Sequence, residues 1–360
     1  MTSRPFRPLT AVTTPPIDAD GQLDFVVTGD GRPTLPFMPY PRHAIAMMDE
    51  IALLRPACVL YTGDAFWGYN ASRQEMLNDI DRFRSLADTT GVPLYNVPGN
   101  HEMQSDAGAV AILEEKGHDL WGSFDIGGYH FVALNTDEVN REGRVTGEQL
   151  DWLTEDLAAN AGADGIFVFM HRPMFSWFQG DFNPDDARVL QELFRSCPVR
   201  GVFAAHDHFY YREDHDEVPY LTVGGAGGPL YAQPPQGGFA HYVIVSAGPG
   251  GVDYNVVEPG HLQVDYPAGN DGLEPLTIAR VANTSDRDLL VRALPIRVPR
   301  LASDDDYQLT LDYLDWERRR PELPLTLRSV RDMGDGSALL SVEVLVPSGV
   351  AFRVRVDARL

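Results

Sequence analysis

Five short apolar runs in the first 208 residues each break off into a polar block, and this rhythm constrains the fold more than any other feature of the chain. Phe25-Val26-Val27 leads to Thr28-Gly29-Asp30-Gly31-Arg32, and Cys58-Val59-Leu60-Tyr61 to Thr62-Gly63-Asp64. Pro93 to Val97 leads to Pro98-Gly99-Asn100-His101-Glu102. Gly165 to Met170 ends at His171 in the block Met170-His171-Arg172-Pro173, and Val199 to Ala205 ends at His206 in the block Ala205-His206-Asp207-His208. Runs this short and this apolar predict strands buried on both faces, and the glycines and prolines that follow predict turns. Helical spacing fills the intervals, over His43 to Leu54, Ser72 to Thr89, Thr146 to Leu157 with Thr146 as its cap, and Asp185 to Phe194. Alternating strands and helices of this kind predict an α/β domain with its ligand-bearing loops at the carboxyl ends of the strands.

Trp121 to Asn135 predicts a hairpin about Gly127-Gly128. From about Pro259 the pattern changes to alternating runs, Leu276 to Val281, Leu289 to Arg292, Leu339 to Val344 and Val350 to Val356, with turn residues at Gly334-Asp335-Gly336. The expected organisation is an extended arm over 1–22, the α/β domain over 23–258 and a β-rich domain over 259–360.

Charge and composition remove several functions. With 29 Lys and Arg against 52 Asp and Glu, the net charge of −23 leaves no broad basic face for long nucleic acid. Lys116 is the only lysine, so neither a P-loop nor a Schiff-base enzyme has its amine. Cys58 and Cys197 lie among apolar neighbours, the setting of buried thiols. Met1 to Pro16 carries no apolar h-region and no run reaches the roughly 20 residues of a membrane helix, so the expected location is the cytoplasm. Asp304-Asp305-Asp306 and Arg318-Arg319-Arg320 predict solvated faces.

Each polar residue of the blocks has a plain use: Asp30 or Asp64 as a turn or cap, His171 as a satisfied loop histidine. His206 and His208, at alternate positions beyond a strand, are expected to point to one side. The conjunction is harder to explain that way, because burying so many ionisable groups at one sheet edge without a cation is costly. Asp30, Asp64, Asn100, His171, His206 and His208 supply the oxygen and imidazole donors that two-metal phosphoester hydrolysis requires.

These blocks resemble the calcineurin-like metallophosphoesterase superfamily, whose pattern is Asp-x-His, Gly-Asp, Gly-Asn-His-Asp/Glu, a lone His and Gly-His-x-His. The resemblance spans roughly residues 23 to 250, with Gly99-Asn100-His101-Glu102 its most specific piece. It implies a sandwich of two mixed β-sheets flanked by helices, followed here by a sandwich-like β-rich domain. It implies two divalent or mixed-valence ions of the Mn, Fe or Zn class, with Asp64 bridging them. Asp30 and His208 would hold the first ion, and Asn100, His171 and His206 the second. It implies attack on phosphorus by a metal-activated hydroxide, His101 as the acid for the leaving oxygen, and Glu102 or Asp207 orienting a histidine. The expected substrate is a small phosphomonoester or phosphodiester.

Two positions depart from the pattern. Ala205 replaces a glycine, and Arg32 replaces the histidine of Asp-x-His. A guanidinium stays protonated and offers no lone pair, so Arg32 is no metal ligand. It is expected either to hold the substrate phosphate or to point to solvent. The purple acid phosphatase arrangement is not matched, since its tyrosine three residues after the second-block aspartate corresponds to Trp67. Trp67, Tyr69, Trp177 and Phe178 either form an aromatic substrate wall or pack in the core, and Gly224 to Gly228 either approaches phosphate or makes turns. Other readings of the blocks are a binding protein whose first metal site Arg32 has impaired, or a metal site turned to a lyase-like step.

Overall fold

A computed structural model of the chain describes residues 4–12, 22–104, 106–266, 277–313 and 323–358. The chain divides into two compact units, Met1–Met48 with Pro56–Glu258, and Asp49–Arg55 with Pro259–Leu360.

The first unit follows the apolar runs, and of its first helix, Arg42–Leu54, it holds the residues up to Met48. In chain order its elements are β1 (Leu23–Thr28), α1 (Arg42–Leu54), β2 (Val59–Tyr61), α2 (Arg73–Asp88), β3 (Leu94–Asn96), α3 (Asn100–Met103), α4 (Ala107–Glu115), β4 (Gly122–Ile126), β5 (Tyr129–Ala133), α5 (Glu148–Ala159), β6 (Gly165–Phe169), α6 (Pro184–Arg195), β7 (Val199–Ala204), β8 (Tyr210–His215), β9 (Val218–Val223), β10 (Tyr242–Gly248) and β11 (Gly251–Val257). They form a five-stranded sheet of order β11-β10-β1-β2-β3 and a six-stranded sheet of order β4-β5-β6-β7-β9-β8. Both are mixed: β1-β2-β3 and β5-β6-β7-β9 run parallel, while β10, β11, β4 and β8 add antiparallel edges.

One apolar cluster draws on both sheets, with Phe25, Val27, Leu60, Val243 and Val245 from the first and Phe131, Phe167, Phe169, Phe203 and Leu221 from the second. A second cluster packs Ile166, Val168 and Val202 of the six-stranded sheet against Leu153 and Leu157 of α5 and Leu190 and Phe194 of α6. Phe25 is fully buried, its ring 4.8 Å from Phe167, 5.3 Å from Phe131 and 6.1 Å from Phe203. Phe25→Ala therefore leaves a cavity between sheets, and an unfolding free energy lowered by about 3–5 kcal/mol is expected from a denaturant titration. A loss below about 1 kcal/mol would contradict this packing.

Ser72 caps α2 reciprocally: Glu75 N donates to Ser72 Oγ at 3.4 Å, and Ser72 N to Glu75 Oε2 at 2.7 Å. Helix α5 begins one residue later than the sequence suggests. Gly147, at φ 60°, takes the cap position because it reaches a conformation that Thr146 disfavours. Of the expected arm, residues 4–12 are described and they are bound: Phe6 is buried, Phe6 N donates to Ser123 O at 2.9 Å, and Leu9 N to Leu94 O at 2.7 Å. Cys58 is buried, whereas Cys197 is only half-buried, and both are free thiols.

Two histidines away from the strand-end loops are buried in the neutral form. Burial pushes His118 down to about 3 and His241 down to about 4. The unfolded chain binds protons at these sites below about pH 6.5 that the folded chain refuses, so stability falls as pH drops from about 6.5 toward 4. Denaturant titrations at pH 7 and 5 should show this fall, and His118→Gln should lessen it. Equal stability at both pH values would refute the assignment.

In the second unit, β12 (Leu262–Asp265), β13 (Thr277–Asn283), β15 (Tyr307–Tyr313) and β18 (Val350–Ala358) form a sheet of order β12-β13-β18-β15, and β14 (Leu289–Pro299), β16 (Leu325–Asp332) and β17 (Ser337–Val346) one of order β14-β17-β16. All pairings are antiparallel. Strict alternation buries Leu340, Val342, Val344 and Val346 of β17 and Phe352, Val354 and Val356 of β18. Gly334 and Gly336 turn the chain into β17 at φ 75° and 82°. Arg318-Arg319-Arg320 and Leu276 lie outside the described residues.

Candidate metal centre

The five polar blocks meet at the carboxyl ends of β1, β2, β3, β6 and β7. The first two are laced by backbone hydrogen bonds, Asp30 N to Gly63 O at 3.0 Å and Arg32 N to Asp64 O at 3.1 Å. Asp30, Asp64 and His206 have positive φ angles of 59°, 54° and 66°, a conformation that non-glycine residues hold only where their surroundings impose it. Glu102 supplies part of that constraint. Its carboxylate accepts from Asp64 N at 3.0 Å, Ala65 N at 2.6 Å and Gly99 N at 3.0 Å.

Gly63 and Gly99 allow the blocks to close. A Cβ on Gly99 would lie 2.3 Å from Asp64 Oδ1 and 2.9 Å from His171 Cε1. Gly99→Ala should therefore displace both side chains and cut bound metal at least about tenfold in titrations of the folded protein. Wild-type metal binding by that variant would overturn the packing argument.

The donor chemistry can be read from hydrogen bonds. His171 Nδ1 is 2.8 Å from Thr62 O, so it carries the proton and leaves Nε2 as a lone pair. His206 Nε2 is 3.0 Å from Asp181 Oδ2 and 3.1 Å from Arg172 Nη1, and with its proton on the Asp181 side Nδ1 is left as the lone pair. Asn100 Nδ2 donates to Tyr69 Oη at 2.6 Å, which turns its Oδ1 inward. These three inward atoms confront one another: Asn100 Oδ1 is 2.9 Å from both His171 Nε2 and His206 Nδ1, and the two nitrogens are 3.2 Å apart. Three acceptors at that spacing have no proton to share, and they match the needs of a cation.

Asp30, Asp64 and His208 make a second buried group, with one donor atom from each lying within 4.8 Å of the others. His208 Nδ1 is 2.5 Å from Pro229 O, so its Nε2 lone pair faces Asp30 Oδ1 at 3.4 Å. Both Asp30 oxygens are buried without a hydrogen-bond donor among the described residues, a costly state for a carboxylate that no cation compensates. Asp64 lies between the two groups, its Oδ1 3.5 Å from His171 Nε2. Burial opposes its charge, but the fields of His171, His101 and Arg32 and a hydrogen bond from His101 N together hold its carboxyl far below the usual range. Burial likewise works against a charged His171, yet Asp64, Asp30 and Asp137 outweigh it and raise its pKa, which marks a field that attracts positive charge.

His101 is not in either lone-pair group. Its Nδ1 bonds Trp67 O, its Nε2 is 3.7 Å from Asp64 Oδ2, and the Tyr69 ring lies 4.1 Å away. Arg32 does not point to solvent. It is 6% exposed, with Nε 3.4 Å from Asp64 Oδ2 and its guanidinium 5.3 Å from the Trp67 ring.

Several expectations need correction. His206 and His208 do not project from a continuing strand. β7 ends at Ala204, and the positive φ of His206 turns the chain so that the two rings serve different groups. Neither Glu102 nor Asp207 orients a histidine: Glu102 binds backbone amides, and Asp207 Oδ2 accepts from Ser176 Oγ. The carboxylate on a histidine is Asp181, steadied by Arg172, whose Nη1 is 3.1 Å from Asp181 Oδ2 and whose Nε is 2.7 Å from Asp137 Oδ1. Asp181 sits in the loop Gly180-Asp181-Phe182-Asn183, which carries no periodic signal. The Gly224 to Gly228 loop spends three amides on structure, Gly224 N to Phe209 O at 3.4 Å, Ala226 N to Gly29 O at 3.0 Å and Gly228 N to Asp30 O at 2.8 Å. Ala205 fits: its methyl faces Gly29, where a Cβ would lie 2.9 Å away.

Residues 42–210 match the family model of the calcineurin-like phosphoesterases. That match covers slightly less than half of the chain, and over it the chain is similar to the family. It is 30% identical over 165 residues to purple acid phosphatase 23 of Arabidopsis thaliana, covering 39% of this chain and 35% of that protein. It is 27% identical over 161 residues to a cAMP/cGMP dual specificity phosphodiesterase of Mycobacterium tuberculosis, covering 43% and 50%. The match thus spans half or less of these curated relatives. A dimetal phosphatase from Danio rerio shares the fold, with a TM-score of 0.51 at 17% identity over 67% of this chain and 100% of that one.

Among the described residues no helix is long and apolar enough to cross a membrane.

Proposed function

We propose that this chain is a divalent-metal-dependent phosphoric ester hydrolase acting on a small phosphomonoester or phosphodiester. The observation that carries the reading is the set of three inward lone pairs on Asn100, His171 and His206, closed on one side by Asp64. Asn100, His171, His206 and Asp64 would hold one ion, and Asp30, His208 and the same Asp64 a second. Bound there, such ions supply Lewis-acid charge and make a nucleophile available from water at neutral pH.

The chain's own residues do the rest. Tyr69 fixes the Asn100 amide, and Asp181 with Arg172 fixes the His206 ring, so the donors are set before substrate arrives. In its imidazolium form, with Nδ1 held by Trp67 O and the charge favoured by Asp64 against the burial that lowers its pKa, His101 at the edge of the centre would give its Nε2 proton to the leaving oxygen. Arg32 offers its guanidinium to two phosphoryl oxygens, adding charge where the transition state gathers it.

The test is metal analysis of the purified protein together with turnover of generic monoester and diester substrates. Metal-dependent hydrolysis of at least one, abolished by chelation and restored by a divalent ion, is expected. Less than one bound ion per chain with neither ester hydrolysed would sink the reading.

A further inference from the structure

Beside the metal centre the surface turns aromatic. The Tyr231 ring lies flat on the His208 imidazole, with centroids 4.1 Å apart and planes 9° apart, and Phe178 follows it at 5.8 Å and 27°. Trp177 stacks on the buried Phe209 at 4.8 Å, and Phe178 meets the same ring edge-on at 6.1 Å. These are not core positions: Trp177, Phe178 and Tyr231 are 45%, 48% and 39% exposed.

The strip is also held in place. Phe178 N donates to Ser176 Oγ at 3.0 Å, Ser176 Oγ donates to Asp207, and Tyr231 N donates to His208 O at 3.3 Å. Its anchors are thus the block that carries His206 and His208. Beyond Trp177 a cleft of about 590 Å³ opens against Tyr210, Tyr211, Pro234, Pro235 and Phe239. Among the described residues no acidic side chain lines it, although the chain carries a net charge of −23. Its one charged lining residue there, Arg212, is already engaged by Asp214 at 2.8 and 3.0 Å.

Three exposed rings in a row, fastened beside a phosphoester centre and leading to a cleft without acidic groups, have no role in folding that their burial reveals. We propose that this strip receives the organic part of the phosphoester, and that the substrate's esterified group carries a planar π face, either a simple aryl ring or a nucleoside base. With the phosphoryl group at Arg32 and the metal donors, that group lies over Tyr231 and Phe178 and points toward the Trp177 cleft. The inference rests on the phosphoester reading of the centre.

The experiment compares phenyl phosphate, a purine nucleoside monophosphate and glycerol phosphate, each also as its methyl diester, using the full chain loaded with divalent metal. The planar esters should exceed the glycerol esters in kcat/KM by about tenfold or more, and Phe178→Ala and Tyr231→Leu should collapse that ratio. An equal kcat/KM for all three, or a ratio unchanged by both variants, would overturn the proposal.

Binding supplies an arm independent of turnover. By intrinsic tryptophan fluorescence, phenylphosphonate should bind about tenfold tighter than methylphosphonate, and Phe178→Leu, a mild change at a half-exposed position, should narrow the gap. Equal binding of the two phosphonates overturns the strip even in an active enzyme. A retained difference in a protein that hydrolyses none of the esters supports the strip and overturns the hydrolase reading alone. A nucleoside ester preferred over phenyl would assign the base, and the reverse the simple aryl ring.

Discussion

His101→Ala should lower kcat by about 10²–10⁴-fold on an ester with a poor leaving group, the range that loss of a positioned general acid spans. The His101 ring supplies no donor atom to either lone-pair group, and its Nε2 stands 3.7 Å from Asp64 Oδ2. Bound metal should therefore stay at the wild-type level in the variant. The informative comparison is between leaving groups. An alkoxide needs the proton and a nitrophenolate hardly does, so the alkyl ester should suffer far more than the nitrophenyl ester. Equal losses on both, or a loss that tracks metal content, would show that the His101 ring only supports the centre beside Asp64 Oδ2 and gives up no proton.

Much of this arrangement is legible in the sequence, and the reason is physical. A strand buried on both faces must be apolar and short, and the polar residue that ends it cannot lie far from the sheet edge. Phe25-Val26-Val27 before Asp30 and Val199 to Ala204 before His206 therefore locate their side chains before any contact is known. Contacts set by loop conformation are not legible in this way. Strand alternation puts His206 and His208 on one side, but the left-handed turn at His206 sends one ring to Asn100 and the other to Asp30. Asp181 is invisible for the same reason, because only the path of its loop brings it within 3.0 Å of His206 Nε2. The second unit shows the matching limit. The alternation of β17 and β18 is plain in the sequence, while β12, only four residues long, and β16, mostly exposed, lack a contrast strong enough to read.

The glycine pattern holds an intermediate position. Gly63 and Gly99 read as turn residues, which they are, but their tighter role is to leave room. Asp64 and His171 approach where Cβ atoms would stand. Packing of that kind depends on which strands become neighbours, and the order β1-β2-β3 facing β6-β7 is a property of topology, not of any one block.

Arg32→His should tighten the second of the two divalent ions and bring the metal content of the purified protein closer to two per chain, because an imidazole adds a lone pair where the guanidinium has none. Arg32 is buried against Asp64 Oδ2 at 3.4 Å, with Trp67 on its other side, so its charge is not free to leave for solvent. A unit positive charge about 4 Å from a second one costs about 4 kcal/mol at an effective dielectric of 20, and more against a divalent ion. That repulsion falls on the Asp30, Asp64 and His208 group, and it leaves the Asn100, His171 and His206 group the tighter of the two. Turnover separates the two consequences of the exchange. If the guanidinium also grips the phosphoryl group, Arg32→His gains metal and loses kcat/KM by about tenfold or more, since a charged hydrogen-bonding partner of the substrate has gone. Metal titration should show the second ion binding at least about tenfold more tightly in the variant than in the parent. A stoichiometry and affinity left unchanged by the substitution would mean that Arg32 swings aside when metal binds. Its place against Asp64 would then be a property of the metal-free protein alone.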